Sequence, residues 1–173
     1  MNSSKELLQG LFALPSFPVV LVTVQRNIMT AAAFHFHSFK PPSVMLGVKP
    51  GNLSCQLIRE QGEFGINIPT QELIEQVQIC GSVSGRDHDK FEKSGLTPVK
   101  GQQIRSYLIS ECPVQLECKL VHELPFGGSH IWFVGELKAV HINDDYRKEE
   151  ALLYWPFEYR SLGEVLQKDP RHK

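Results

Sequence analysis

Cys80-Gly81-Ser82-Val83-Ser84-Gly85-Arg86-Asp87-His88-Asp89-Lys90-Phe91 places two glycines, two serines, an arginine and a lysine between two helix-like segments. Leu73, Ile74 and Val77 give the preceding segment a helical stripe, and Gly81 is placed to end it. Asp87 can cap the short helix that follows, which carries Lys90 and Phe91. Backbone N–H groups and serine hydroxyls in such a connection can surround an anion, and the start of the next helix favours negative charge. The same pattern also fits an ordinary capped loop with solvated charges. What the flanking chain builds around it decides between the two.

Upstream, Ser4 to Leu11 can form a turn or two of helix with Leu7, Leu8 and Leu11 on one side. Val19-Val20-Leu21-Val22-Thr23-Val24 is β-branched and apolar on both faces, which predicts a strand covered on both sides. Gln25-Arg26-Asn27 is a turn in which Asn27 tolerates a left-handed conformation. Ile28 to His35 predicts a returning strand. Ser38-Phe39-Lys40-Pro41-Pro42 is expected outside any sheet, because two prolines remove ladder donors. Ser43 to Val48 predicts a third strand. Asn52 or Ser54 can cap a helix reaching about Glu60, and Phe64 to Ile68 predicts a strand ended by Pro69. Thr70 is placed to cap the helix leading into the loop.

Downstream, Gly95, Pro98 and Gly101 mark a loop-like connection. Val114, Leu116, Cys118 and Leu120 alternate with Gln115, Glu117 and Lys119, the pattern of a half-exposed strand. Leu124 to Ser129 turns the chain, and His130 to Ile142 carries the longest strand signal. Strands dominate and no regular βαβ alternation occurs. The reading is mainly β: an antiparallel barrel with a few short inserted helices. GxGxxG and GxxxxGK[ST] are both missing, so Rossmann and P-loop folds lack their fingerprints.

The chain of 173 residues fits one domain, with a core over about residues 15–163 and flexible ends. Its apolar fraction of 42% supports a real core. Lys+Arg 18 against Asp+Glu 19 gives a net charge of -1, which offers no electrostatic case for nucleic acid or a membrane surface. No apolar run approaches the ~18 residues of a membrane span, and residues 1–6 do not form a secretory signal. Cys55, Cys80, Cys112 and Cys118 show no CxxC spacing, which fits reduced thiols and a cytoplasmic location.

No GxSxG or HExxH motif occurs. Cys80 ends a helix, where the dipole disfavours a thiolate, so it reads as packing. His35 and His37 share a strand face without a third metal ligand in view. His130 follows Gly127-Gly128-Ser129 at the opening of a strand, where a side chain can project from a barrel rim. Tyr154, Trp155, Phe157 and Tyr159 form an aromatic tail that can seal a core, a subunit contact or a ligand.

In order, the chain carries Pro18-Val19-Val20-Leu21-Val22-Thr23, Asn27-Ile28-Met29-Thr30-Ala31-Ala32-Ala33-Phe34, Ser38-Phe39-Lys40-Pro41-Pro42 and Phe64-Gly65-Ile66-Asn67-Ile68-Pro69. The loop from Cys80 to Phe91 follows, then Gly95-Leu96-Thr97-Pro98, His130 with Phe133-Val134-Gly135-Glu136, and Tyr159-Arg160-Ser161-Leu162-Gly163. This ordered set resembles the flavin reductase-like family, the FMN-binding split barrels that include flavoredoxin and NAD(P)H:FMN oxidoreductase-like proteins. The resemblance implies an antiparallel, Greek-key-like split β-barrel. It also implies a homodimer with FMN near the subunit interface, NAD(P)H or a redox partner protein as electron donor, and His130 near the flavin.

The residues are compatible with those expectations. Small Ala31, Ala32 and Ala33 let a planar ring approach backbone, with Asn27 and Thr30 as polar contacts and Phe34 at its flank. Lys49, Asn52 and Ser54 lie at a helix start suited to phosphate, and Ser84, Arg86 and Lys90 supply further donors. The resemblance places Ser54 and Lys90 among the flavin contacts and Tyr159 beside the ring. An FMN carrier without a nicotinamide site would use the same cradle.

Overall fold

A computed structural model describes residues 4–167. Helix α1 covers Ser4–Phe12, and a short strand β1 covers Phe17–Pro18. The curled main sheet begins with β2 (Val20–Val24) and β3 (Asn27–Ala31), continued by β4 (Phe34–Phe39) and β5 (Pro42–Val48). Helix α2 (Leu53–Gln61) and β6 (Glu63–Ile68) follow, then α3 (Ile74–Ser82) and α4 (Lys90–Ser94). A small hairpin, β7 (Pro98–Lys100) with β8 (Tyr107–Ile109), precedes the long strands β9 (Val114–Leu124) and β10 (Ile131–Ile142). The tail adds β11 (Leu152–Tyr154) and β12 (Tyr159–Ser161).

The main sheet has the order β3-β2-β6-β9-β10-β5-β4, every neighbour antiparallel. Strand β2 divides the core. Val20, Val22 and Val24 join Phe64, Ile66 and Phe133 on one side, while Leu21 joins Val77, Cys80, Phe91 and Ile109 on the other. That two-sided burial is why the run is apolar on both faces. Gly135 lies under the Phe64 ring, where a Cβ would collide with it.

The expected strand from Ile28 to His35 is two strands. β3 and β4 stand at opposite ends of the sheet order, so Ala32 and Ala33 carry the chain across the opening. The Gly47 N–H donates to the Ala33 carbonyl at 2.7 Å there. Ser38, Phe39 and Pro42 lie inside strands after all, because β4 is an edge and Pro42 is the first residue of β5. In the turn after β2 it is Gln25, at φ 52°, that is left-handed, while Asn27 opens β3. The stretch after Gly95 is the β7–β8 hairpin and not only a loop.

The half-exposed reading of β9 fails at Glu117, which is fully buried. It faces outward from the barrel core as the alternation requires, but residues 101–106 fold over it. Its carboxylate accepts the N–H groups of Gln102, Gln103 and Ile104 and pairs with His141 Nε2 at 2.6 Å. Glu63, equally buried, accepts from Arg105 N, Ser106 N and Lys119 Nζ. Burial alone would raise both carboxyl pKa values; these donors more than offset it and hold both below the ordinary value. No described helix is long and apolar enough to cross a membrane. The extreme ends expected to be flexible, residues 1–3 and 168–173, lie outside the described residues.

Candidate functional site

Two elements meet where β3 passes between α2 and α3. Gly81 runs close against Thr30, so that a Cβ would stand 3.3 Å from Thr30 Cβ, and Thr30 Oγ1 donates to Val77 O at 2.6 Å. The chain leaves α3 at Val83 and not at Gly81, which sits inside the last turn. The next helix is capped by Asp89 and not Asp87: Asp89 accepts the N–H groups of Phe91 and Glu92. That register turns Lys90 and Phe91 inward.

The result is a chamber of about 240 Å³. Asn27, Thr30, Asn52, Ser54, Ser84, Arg86 and Lys90, all singled out from sequence, line it together. Lys90 is 6% exposed, and its Nζ donates to Cys80 O at 2.7 Å. No carboxylate pairs with it among the described residues. An ammonium has three donors, and burying it without a counterion is unfavourable. Burial accordingly lowers its pKa.

The other donors are arranged to suit. Asn27 Nδ2 donates to Ser54 Oγ at 2.7 Å, which leaves the Ser54 hydroxyl proton free. The second polar atom of the Asn27 carboxamide is buried with no partner. Ser84 Oγ accepts the Arg86 N–H at 3.1 Å and likewise keeps its own proton. Neither Asn52 nor Ser54 caps α2: Asn52 stands at the cap position but its side chain makes no capping hydrogen bond, its Nδ2 donating to Met29 Sδ at 3.5 Å instead, and Ser54 is inside the helix. The first N–H groups of α2 are thus left without a side-chain cap at the chamber wall. Gly85 must be glycine, because a side chain there would run into Asn27. Arg86 reaches Gly51 O at 3.4 Å.

A second, larger space of about 580 Å³ shares Thr30 and Gly81 with the first. Ala32, Lys49 and Tyr159 line it, with Val19, Val77 and Tyr154. The Tyr154 and Tyr159 rings stand 5.0 Å apart as a cross-strand pair of β11 and β12. This space is wide and of mixed polarity, with Gln78 and Ser82 also on its wall, while the first is small and rich in hydrogen-bond donors.

The structure does not bring every expected residue to these walls. Ala31 and Phe34 pack with the main core, and Ala33 lies against Gly47. His130 is half-buried at the start of β10, bonded to Ser129 Oγ at 2.8 Å. Burial and the nearby Lys49 lower its pKa, so its imidazole is neutral at pH 7. Sequence reasoning missed Met29, Leu53, Val83 and Gly85; Tyr154 was visible in the aromatic tail but not assigned to the site.

Residues 13–163 match the model of the flavin reductase like domain. The chain belongs to the flavin reductase-like family. It is 33% identical over 151 residues to an uncharacterized protein of Archaeoglobus fulgidus, covering 87% of this chain and 85% of that one. Among solved structures, flavoredoxin of Desulfovibrio vulgaris (Miyazaki F) is 28% identical and superposes with a TM-score of 0.82 over 92% of this chain and 93% of that chain. A Shewanella frigidimarina protein with a split barrel domain is 18% identical, with a TM-score of 0.86 over 98% of this chain and 93% of that one. The family's antiparallel split barrel is thus the fold of this chain.

Proposed function

We propose that the protein is an FMN-dependent oxidoreductase that passes electrons from NAD(P)H to an acceptor. In this reading the small chamber takes the flavin phosphate, and the wider space takes the ring. The observation that carries it is Lys90, a buried ammonium without a carboxylate, facing a chamber that also offers free hydroxyl protons and open helix N–H groups. When bound, FMN supplies the redox chemistry, accepting a hydride and releasing electrons.

The protein's part is to hold and orient. Lys90, Ser54, Ser84 and Arg86 neutralise and fix the phosphate. Ala32 and the Tyr154–Tyr159 pair bound the ring space, while Lys49 sits at its rim. His130, neutral and tied to Ser129, orients the donor beside that rim. Exposed Leu7, Leu8 and Leu11 on α1, with Phe157 and Leu166 in the tail, leave apolar surface for a second copy, in keeping with a homodimer.

Purified protein should bind FMN and bleach on addition of NADH or NADPH. Riboflavin, which lacks the phosphate, should bind about 10–100-fold more weakly than FMN. Equal affinities would remove the phosphate from the Lys90 chamber. FMN binding without bleaching by either nicotinamide would favour a carrier reduced by a protein. His130→Ala should slow reduction and leave FMN affinity within about twofold; an unchanged rate would end its assigned role.

A further inference from the structure

Phosphate binding uses Lys90 as a cation, but its surroundings suit a different state when the flavin is away. Its Nζ meets one acceptor, Cys80 O, and no Asp or Glu of the described residues lines the chamber that it faces. Burial of this kind favours the neutral amine, and a neutral lysine amine is a nucleophile. We propose that in the flavin-free protein Lys90 Nζ adds carbon dioxide and becomes a carbamate, an anion standing in the place of the flavin phosphate. The carbamate itself is independent of the flavin reading above; its displacement by FMN rests on that reading.

The step balances with carbon dioxide as the only reactant. The Nζ lone pair attacks the carbon, a C–N bond forms, one C–O π bond opens to give the carboxylate, and one Nζ proton passes to solvent. Nothing is oxidised or reduced. The nitrogen keeps one N–H, enough to go on donating to Cys80 O. A cation among donors thereby becomes an anion among donors. Ser54 and Ser84 each keep a hydroxyl proton, and the exposed Arg86 has only its 3.4 Å contact to Gly51 O, so all three have hydrogen bonds to give. The added atoms need roughly the volume of two waters, about 60 Å³, and the chamber holds about 240 Å³. An exposed lysine, by contrast, stays a hydrated ammonium with no such set of donors around it.

Carbon NMR of the whole flavin-free protein in isotope-labelled bicarbonate, which supplies carbon dioxide, tests this. A protein-bound carbamate resonance should appear, and it should be lost in Lys90→Met. Adding FMN should remove it, and FMN should bind about threefold or more weakly in bicarbonate than without it. Lys90→Arg keeps the charge, but its guanidinium does not deprotonate to attack carbon dioxide, so bicarbonate should leave its FMN affinity within about twofold. The absence of a resonance that depends on Lys90 would overturn the carbamate while leaving the FMN site standing. Equal competition by bicarbonate in Lys90→Arg would overturn it as well, since that is plain anion binding. A resonance that persists under saturating FMN would overturn the shared place. If FMN does not bind at all, the flavin reading falls, and the Lys90-dependent resonance still decides the carbamate.

Discussion

The protein buries charge in two places and treats it in opposite ways. Glu63 and Glu117 are fully buried, and each has several donors supplied by the fold. Lys90 is almost as buried and has one carbonyl. The carboxylates fasten residues 101–106 to the outer face of the sheet, satisfying N–H groups that no ladder reaches. A charge whose partners all lie within the fold is a fastening. A charge at a chamber wall without a counterion is available to a ligand.

The largest expected effect falls on the fastening. Glu117→Ala strands three backbone donors and His141, and should cost about 3–5 kcal/mol in chemical denaturation. Lys90→Met should behave in the opposite way. It removes an unpaired buried ammonium, so the flavin-free protein should be as stable as before or more so. Its FMN affinity should fall by about 1.5–3 kcal/mol, with riboflavin binding little changed. If Lys90→Met unfolds the protein as severely as Glu117→Ala, the two regions are alike and the contrast is lost.

Acid and alkali separate them next. The folded-state pKa values of Glu63 and Glu117 are lowered, so the unfolded chain takes up protons first as pH falls. Their stabilisation is complete above the ordinary glutamate value of about 4.3 and disappears as pH falls through the lowered folded values. Urea midpoints should drop across that window, and Glu117→Gln should flatten the drop. Lys90 gives the same sign of slope but the opposite contribution, because its charged form destabilises the fold where the charged glutamates stabilise it. Its folded pKa is lowered, so between that value and the ordinary lysine value of about 10.4 the unfolded chain holds the extra proton. Stability of the flavin-free protein should rise with pH there. FMN binding in the same window should take up a proton, which calorimetry in buffers of different ionisation enthalpy would register; no proton uptake would mean that Lys90 does not meet the phosphate.

How much of this was legible in the sequence follows from the range of the interactions. Val20 to Val24 announced burial on both faces, and the chamber residues from Asn27 to Lys90 were each in view as polar groups near turns and helix starts. Glu117 was read onto the correct face, but nothing local signals that residues 101–106 cover it. Asp87 and Asp89 fit a cap equally well in sequence; the inward packing of Lys90 and Phe91 selects Asp89. The Arg26–Asp89 pair is invisible in the chain because the two residues, 63 apart, meet only once β2 and β3 have folded against the loop.

Thr30 gives the finest version of the contrast. It was expected to offer its hydroxyl to the flavin, and it lines both the small chamber and the ring space. Yet its proton is already committed to Val77 O at 2.6 Å, tying β3 to α3. In that respect Thr30 belongs with the glutamates and not with Lys90, and its oxygen can only accept. Thr30→Val keeps the shape and removes the bond, so it should cost about 0.5–1.5 kcal/mol of stability. FMN affinity should change by less than about threefold, because a phosphate offers no proton to an accepting oxygen. A loss of FMN binding as large as that of Lys90→Met, without loss of stability, would show that the hydroxyl turns from α3 to the ligand and that this fastening also serves the site.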